Sequence, residues 1–353
     1  MQQLKELVEY WQEKFDWRGV EARLNKYPQF TTDIDGVSVH YLHVRSPEPN
    51  ATPLLLTHGW PGTFAEFLDI IEPLTNPTAH GGRPEDAFDL VIPSIPGFAF
   101  SEQPHEPGWT MERIALAWAE LMRRLGYHGY IPQGGDIGAW ISLVLAAVDS
   151  DAVRGVHVNF LVTPPPDDPE EFKSLSPEEL QRLMTLRDFK EDGAGYMILQ
   201  ATRPQTISYS LTDSPVGQLA WMYEKFHMWS DQTSGEAPLS FDQILTNATI
   251  YWLTGSAGSA AHFYFDNASN LPAAPVRPPD PPVLNTPLGV ASFINDQAPS
   301  IRRLAGRGYA DIVQWTDYER GGHFAAMEGP AALVEDLRRF KRALDARESN
   351  AGN

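Results

Sequence analysis

Its 353 residues are too many for one domain of ordinary size and too few for three. A content of 42% hydrophobic and 11% aromatic residues supplies a large core and excludes a disordered or low-complexity chain. The 27 Lys and Arg stand against 46 Asp and Glu, a net charge of −19, which argues against nucleic acid and against an anionic membrane surface as partners.

No cysteine is present, so disulfides, thiolate zinc sites, iron–sulfur clusters and a Cys nucleophile are excluded. Acids interrupt every apolar stretch between Met1 and Trp11, so the start does not read as a signal peptide. No run of about 18 apolar residues exists to span a bilayer, and the default address is the cytoplasm.

In chain order, Leu4, Leu7, Trp11 and Phe15 share one face of a first helix. Asp35-Gly36 between the β-like runs Phe30–Ile34 and Val37–Val44 predicts a hairpin. From residue 50 the pattern alternates apolar strands with amphipathic helices. A strand ends in Leu54-Leu55-Leu56-Thr57, a helix is expected over Phe64–Leu74, and a strand over Asp89–Ser94. Thr110 caps a helix bearing Ile114, Trp118, Leu121 and Leu125, which Gly126 stops. Tyr130-Ile131-Pro132 leads into a glycine-rich turn and the apolar helix Ala139–Val148, and Val153–Phe160 reads as another strand. Such alternation predicts an α/β fold with a mostly parallel sheet covered on both faces. After Pro164-Pro165-Pro166 the pattern turns helical and aromatic as far as about residue 270, and a proline-rich linker runs from Pro272 to Pro287. Strands return at Leu288–Phe293 and Ile312–Trp315, before a last helix presenting Leu333, Leu337, Phe340 and Leu344. The expected organisation is an extension over 1–50, a core of 51–163 and 272–353, and a helical cap over 164–271. Such an insertion should lie over the C-terminal strand ends, where open α/β sheets bind ligands.

Gly134-Gly135-Asp136-Ile137-Gly138 sits between a strand and a helix. Small residues two before and two after a central residue mark a nucleophile elbow, whose sharp turn strains the central backbone. Here the centre is Asp136, and a carboxylate attacking carbon makes an ester. A glycine-rich turn whose Asp caps the next helix is the plainer alternative. His58-Gly59-Trp60-Pro61-Gly62 follows the first apolar strand. A loop there can donate a backbone N–H to an oxyanion, and paired with the N–H after the nucleophile the donors are Trp60 and Ile137. A tight turn with a structural histidine is the alternative, and the Trp60–Pro61 bond is open to the cis form although trans is commoner. Gly321-Gly322-His323-Phe324 falls between the last strand and the last helix, a position that sets His323 apart from the other nine histidines. The orienting acid is expected at Asp296, where the strand from Leu288 ends. Asp311 stands at a strand's beginning and Asp317 after the last strand, only six residues before His323.

Taken in order, these motifs resemble the α/β-hydrolase-fold epoxide hydrolases, specifically the microsomal-like branch. Tyr10-Trp11 and Trp17-Arg18 are similar to that branch's N-terminal region. Gly195-Tyr196-Met197, Arg203-Pro-Gln-Thr206, Asp213-Ser-Pro-Val-Gly217, Glu224-Lys-Phe226 and Tyr251-Trp-Leu-Thr-Gly255 are similar to its insertion. The chain departs from the pattern at Thr63 for Ser, Ile137 for Trp, Ile294 for Pro and Asp296 for Glu.

The resemblance implies Asp136 as nucleophile, His323 as base and Asp296 as the carboxylate orienting it. It implies Tyr196 and Tyr264 as donors to the epoxide oxygen, and Trp60, Pro61 and Phe263 as substrate contacts. It further implies no metal or organic cofactor, a small epoxide as substrate, and a soluble bacterial relative lacking the membrane anchor of mammalian members. The aromatic insertion suggests an apolar or aromatic epoxide or, equally, its own core. A homodimer is open. The rival readings are a haloalkane dehalogenase with the same Asp nucleophile, an esterase, and a non-catalytic small-molecule-binding protein on the same scaffold.

Overall fold

The computed structural model describes residues 2–233, 235, 237–270 and 284–351. The amphipathic start forms helix α1 (Gln2–Glu13), which buries Leu7 while Leu4, Trp11 and Phe15 lie against the same core. A second helix, α2 (Trp17–Leu24), follows at once. Asp16 caps it by accepting the N–H of Gly19, a short signal that the helical periodicity does not carry.

Strands β1 (Gln29–Ile34) and β2 (Val37–Val44) make the expected hairpin. Asp35 and Gly36 take the two left-handed positions of its turn, φ +50° and +78°. Next come β3 (Thr52–Thr57), β4 (Phe88–Pro93), β5 (Ile131–Gly134), β6 (Val156–Val158), β7 (Leu288–Phe293) and β8 (Ile312–Tyr318). Among the described residues they form one eight-stranded sheet in the order β1-β2-β4-β3-β5-β6-β7-β8. The β1–β2 and β2–β4 pairs are antiparallel and the rest parallel.

Strand side chains alternate between two core layers. Leu55 and Val91 face helices α3 (Met111–Arg124) and α4 (Asp136–Val148), meeting Ile114, Trp118, Leu121, Ile141 and Leu145. Leu54, Leu56, Leu90 and Ile92 face the other way, toward Leu333, Leu337, Phe340 and Leu344 of α11 (Pro330–Ala351). Burial on both faces explains why these strands read as unbroken apolar runs. Each fully buried leucine contributes about 2 kcal/mol.

Between β6 and β7 the chain builds α5 (Pro177–Asp188), α6 (Gly195–Thr202), α7 (Pro204–Asp213), α8 (Pro215–Met228), α9 (Phe241–Thr254) and α10 (Ala257–Asp266). Proline opens α5, α7 and α8, and Ser176, Ser214 and Ser240 accept backbone N–H groups at helix starts. After α5 the chain widens into a π-type turn at Phe189–Gly193.

Several expected elements differ. The helix over Phe64–Leu74 is broken into a 3-10 turn, Phe64–Phe67, and a short helix, Ile71–Thr75. Pro73 has no N–H to give, and its ring would meet the carbonyl four residues earlier, so one helix cannot run through. The strand from Val153 shrinks to a lone bridge between Val153 and Tyr130, with regular pairing only over β6. Helix α4 begins at Asp136 rather than at Ala139. Asp317 lies inside β8, not after it, because that strand continues to Tyr318. Most of the proline-rich linker, 271–283, lies outside the described residues. Among the described residues no helix is long and apolar enough to cross a membrane.

Candidate active site

Four strand ends converge. β3 runs into His58-Gly59-Trp60, β5 into Asp136, β7 into Asp296 and β8 into His323, all at the C-terminal edge of the parallel sheet. Asp136 holds φ +49°, a left-handed value that non-glycine residues avoid, and opens α4 directly. Its neighbours must be small for steric reasons. A Cβ on Gly138 would lie 1.9 Å from the carbonyl oxygen of Thr57, and one on Gly59 would lie 2.4 Å from Cβ of Asp136.

The Asp136 carboxylate is held from two sides. Its Oδ1 accepts the N–H of Trp60 at 3.0 Å, and its Oδ2 lies 3.2 Å from Nε2 of His323. The other ring nitrogen, Nδ1 of His323, is 2.9 Å from Oδ1 of Asp296. The His323 and Asp296 side chains are 2% and 3% exposed, and that of Asp136 is 13% exposed, so the open end of the chain of contacts is the Asp136 end. Burial works against an imidazolium at His323, yet the carboxylates of Asp296 and Asp136 outweigh it and raise its pKa well above the ordinary value. The N–H of Ile137 belongs to the first turn of α4, where a helix has no carbonyl of its own to offer.

His58 has a different job. Its Nε2 accepts the N–H of Ile95 at 3.1 Å, so the proton sits on Nδ1, 3.0 Å from the Gly59 carbonyl. Burial lowers its pKa to about 4, which keeps it neutral. It shapes the loop that presents Trp60, whose bond to the buried Pro61 is cis. The loop is tied to the insertion by Thr63, whose hydroxyl donates to Asn247 at 2.7 Å, and by the Tyr251 hydroxyl, which donates to the Gly62 carbonyl at 3.0 Å.

Tyr196 on α6 and Tyr264 on α10 come from the insertion. Their rings meet edge to face at 5.9 Å, and the Trp60 indole stacks on Tyr196 at 5.0 Å. Burial first, then the Asp136 charge beside Tyr196 and the neighbouring Tyr196 and Asp136 beside Tyr264, raises both phenols well above their ordinary pKa, so both stay protonated donors. The two phenols share with Asp136 a cavity of about 10 Å³ walled by Leu186, Phe189 and Met197. A second cavity, of about 20 Å³, lies between Asp136, His323, Asn159 and Glu66. A space of about 10–15 Å³ holds one water. Phe263 lies elsewhere. It packs on Phe98 and Tyr264 and lines a separate cavity of about 620 Å³ with Trp109 and Arg203.

Two carboxyls beside the site escaped the sequence reading. Glu66 lines the 20 Å³ cavity, and burial followed by the Asp136 charge pushes its pKa well above the carboxylate range, leaving a neutral acid. The spacing Thr63-Phe-Ala-Glu66 would have been read as a helix cap. Glu328 accepts the N–H groups of Phe324 and Asp231 at 2.9 and 2.7 Å, while Asp231 accepts that of Gly321, and together they pin the His323 loop. Trp229 joins them: its carbonyl accepts the N–H of His323 at 2.9 Å, and its ring lies 5.1 Å from the imidazole.

Comparison with known proteins gives a consistent picture. Residues 1–67 match the family described as epoxide hydrolase N terminus, and residues 52–192 match the alpha/beta hydrolase fold. The chain is 35% identical to epoxide hydrolase 1 of Sus scrofa, covering 97% of this chain and 80% of that one. Among solved structures, the Aspergillus niger epoxide hydrolase aligns with a TM-score of 0.85 at 35% identity, covering 97% of this chain and 85% of that chain. The juvenile hormone epoxide hydrolase of Bombyx mori aligns with a TM-score of 0.86 at 30% identity, covering 98% and 86%.

Proposed function

The chain belongs to the α/β-hydrolase-fold epoxide hydrolases, in their microsomal-like branch, and from that premise we propose how its residues open an epoxide to a vicinal diol. The reading rests on one observation. The Asp136 carboxylate is held between a backbone N–H and an imidazole while its cavity is shared with two protonated phenols.

An epoxide carbon is electrophilic through ring strain, but its leaving group is a poor one, an alkoxide. Oδ2 of Asp136 attacks a ring carbon, the C–O bond breaks, and Tyr196 and Tyr264 donate to the oxygen as its charge grows. Oδ1 remains as the ester carbonyl, still beside the Trp60 N–H. The proton inventory balances. The alkoxide gains a proton through the phenols, and the imidazolium of His323 gives one up, because esterification removes one of the two anions that raised its pKa.

Neutral His323, oriented by Asp296, then takes a proton from a water in the 20 Å³ cavity. Glu66, a neutral acid on that cavity wall, is placed to donate a hydrogen bond to the same water. The water attacks the ester carbonyl carbon. The oxyanion forms on Oδ1, facing the N–H groups of Trp60 and Ile137, where one such donor is worth about 3 kcal/mol. Collapse releases the diol and restores the ion pair. The apolar walls, Leu186, Phe189 and Met197, suit an apolar epoxide, and segment 164–271 acts as the lid that carries both phenols. Paired phenols favour an oxygen leaving group over a halide.

The test is His323→Gln. Treated with styrene oxide, it should accumulate an adduct on Asp136 equal in mass to the substrate. Turnover lost with no adduct would overturn the two-step scheme. A single turnover of the native enzyme in heavy-oxygen water should leave the label in Asp136.

A further inference from the structure

Lys225 occupies an unusual place. It sits on α8 with its side chain 5% exposed, although lysines ordinarily carry the ammonium out to solvent. Its Nζ pairs with the carboxylate of Glu224, which is 56% exposed, and lies over two aromatic rings. It is 4.8 Å from the centroid of Tyr196 and 5.9 Å from that of Trp229. Tyr264 has no such cation, so the two phenols are electrostatically unequal among the described contacts. A methionine would fill the same space without the cost of burying charge.

The attraction between a cation and an aromatic face depends on the electron density of the ring. As the Tyr196 hydroxyl gives its proton toward a forming alkoxide, that density rises and the attraction grows. An interaction stronger in the transition state than in the resting enzyme lowers the barrier rather than only tightening binding.

We propose that Lys225 is a positioning residue for epoxide opening, acting through the face of Tyr196 so that Tyr196, rather than Tyr264, bears the larger share of proton donation. This rests on the reading of Asp136 and the two phenols given above. It adds a division of labour between the phenols and a residue that touches neither substrate nor nucleophile.

The experiment measures ester formation and ester breakdown separately, by rapid mixing with styrene oxide and mass detection of the adduct on a His323→Gln background and on the native one. Lys225→Met should slow ester formation roughly tenfold. It should leave the ester-breakdown rate constant and the substrate dissociation constant, read from the concentration dependence of the pre-steady-state phase, within twofold, and Lys225→Arg should recover most of the rate. In a Tyr196→Phe background Lys225→Met should cost nothing further, whereas in a Tyr264→Phe background it should cost its full factor. Lys225→Gln carries the same expectations and serves if the methionine variant does not fold. Equal slowing of both steps, or an undiminished effect in the Tyr196→Phe background, would overturn the proposal while leaving the ester mechanism intact. Absence of any adduct in the His323→Gln parent would instead sink the mechanism itself.

Discussion

Among the described residues, two buried histidine–aspartate contacts share one separation. His323 Nδ1 and Asp296 Oδ1 are 2.9 Å apart, and so are His157 Nε2 and Asp336 Oδ1. The second pair is sealed between β6 and α11. There Asp336 also accepts from Tyr318 at 2.7 Å, Gln314 at 2.6 Å and Arg339 at 2.7 Å. Burial opposes its charge, but the donors, His157 foremost, win and hold its carboxyl at about 2. Its histidine ends in Nδ1, which has no hydrogen-bond partner. The first pair ends in a second carboxylate beside a cavity. The pairing itself is therefore common structural currency. On the proposed mechanism, reactivity belongs to the pair whose far nitrogen meets a second carboxylate with room beside it, and the other knits a helix to a sheet.

Three substitutions would break or sharpen that contrast. Asp296→Asn should cost roughly 10³- to 10⁴-fold in kcat, because the imidazole loses its orienting partner, with a small change in denaturation midpoint. Comparable activity in the variant would reduce Asp296 to a structural neighbour. Asp336→Asn should do the reverse. It should remove about 3 kcal/mol of stability in a urea titration while leaving ester formation within a few-fold. The smallest effect is expected from Glu328→Gln. Burial is the main cause that raises Glu328 to about 7 from 4.5. A carboxyl raised on folding stabilises the fold fully below its ordinary value and loses that contribution as pH climbs through the higher one. The substitution should remove on the order of 1 kcal/mol of the decline between pH 5 and pH 8. An unaltered slope would assign the decline to His323, whose raised pKa acts in the same direction.

How much of this could be read beforehand depends on how local each signal is. The elbow is local: crowding of Gly138 by Thr57 and of Gly134 by the Gly138 backbone demands glycine at fixed offsets, so Asp136 is visible in five residues. His323 and Asp296 are visible through strand order, since each follows a strand that must end at the same edge. Tyr196 and Tyr264 carry no local mark and came only from resemblance. Glu66 and Glu328 fall in no catalytic motif, and Lys225 enters only within Glu224-Lys-Phe226, by resemblance. Their surroundings are set by elements distant in sequence, which no window along the chain contains. The break at Pro73, by contrast, was legible, and the hydrophobic periodicity from Phe64 to Leu74 outvoted it.

The chamber shared by Asp136 and the two phenols, about 10 Å³, has room for about one water. Trp60 stacks on Tyr196 and meets Tyr264 edge to face. On the proposed mechanism, a substrate larger than a water is expected to enter and leave as the aromatic wall parts, a step separate from bond making. Thickening the solvent should slow the steady-state rate with small, reactive substrates while sparing the chemistry of an ester already formed.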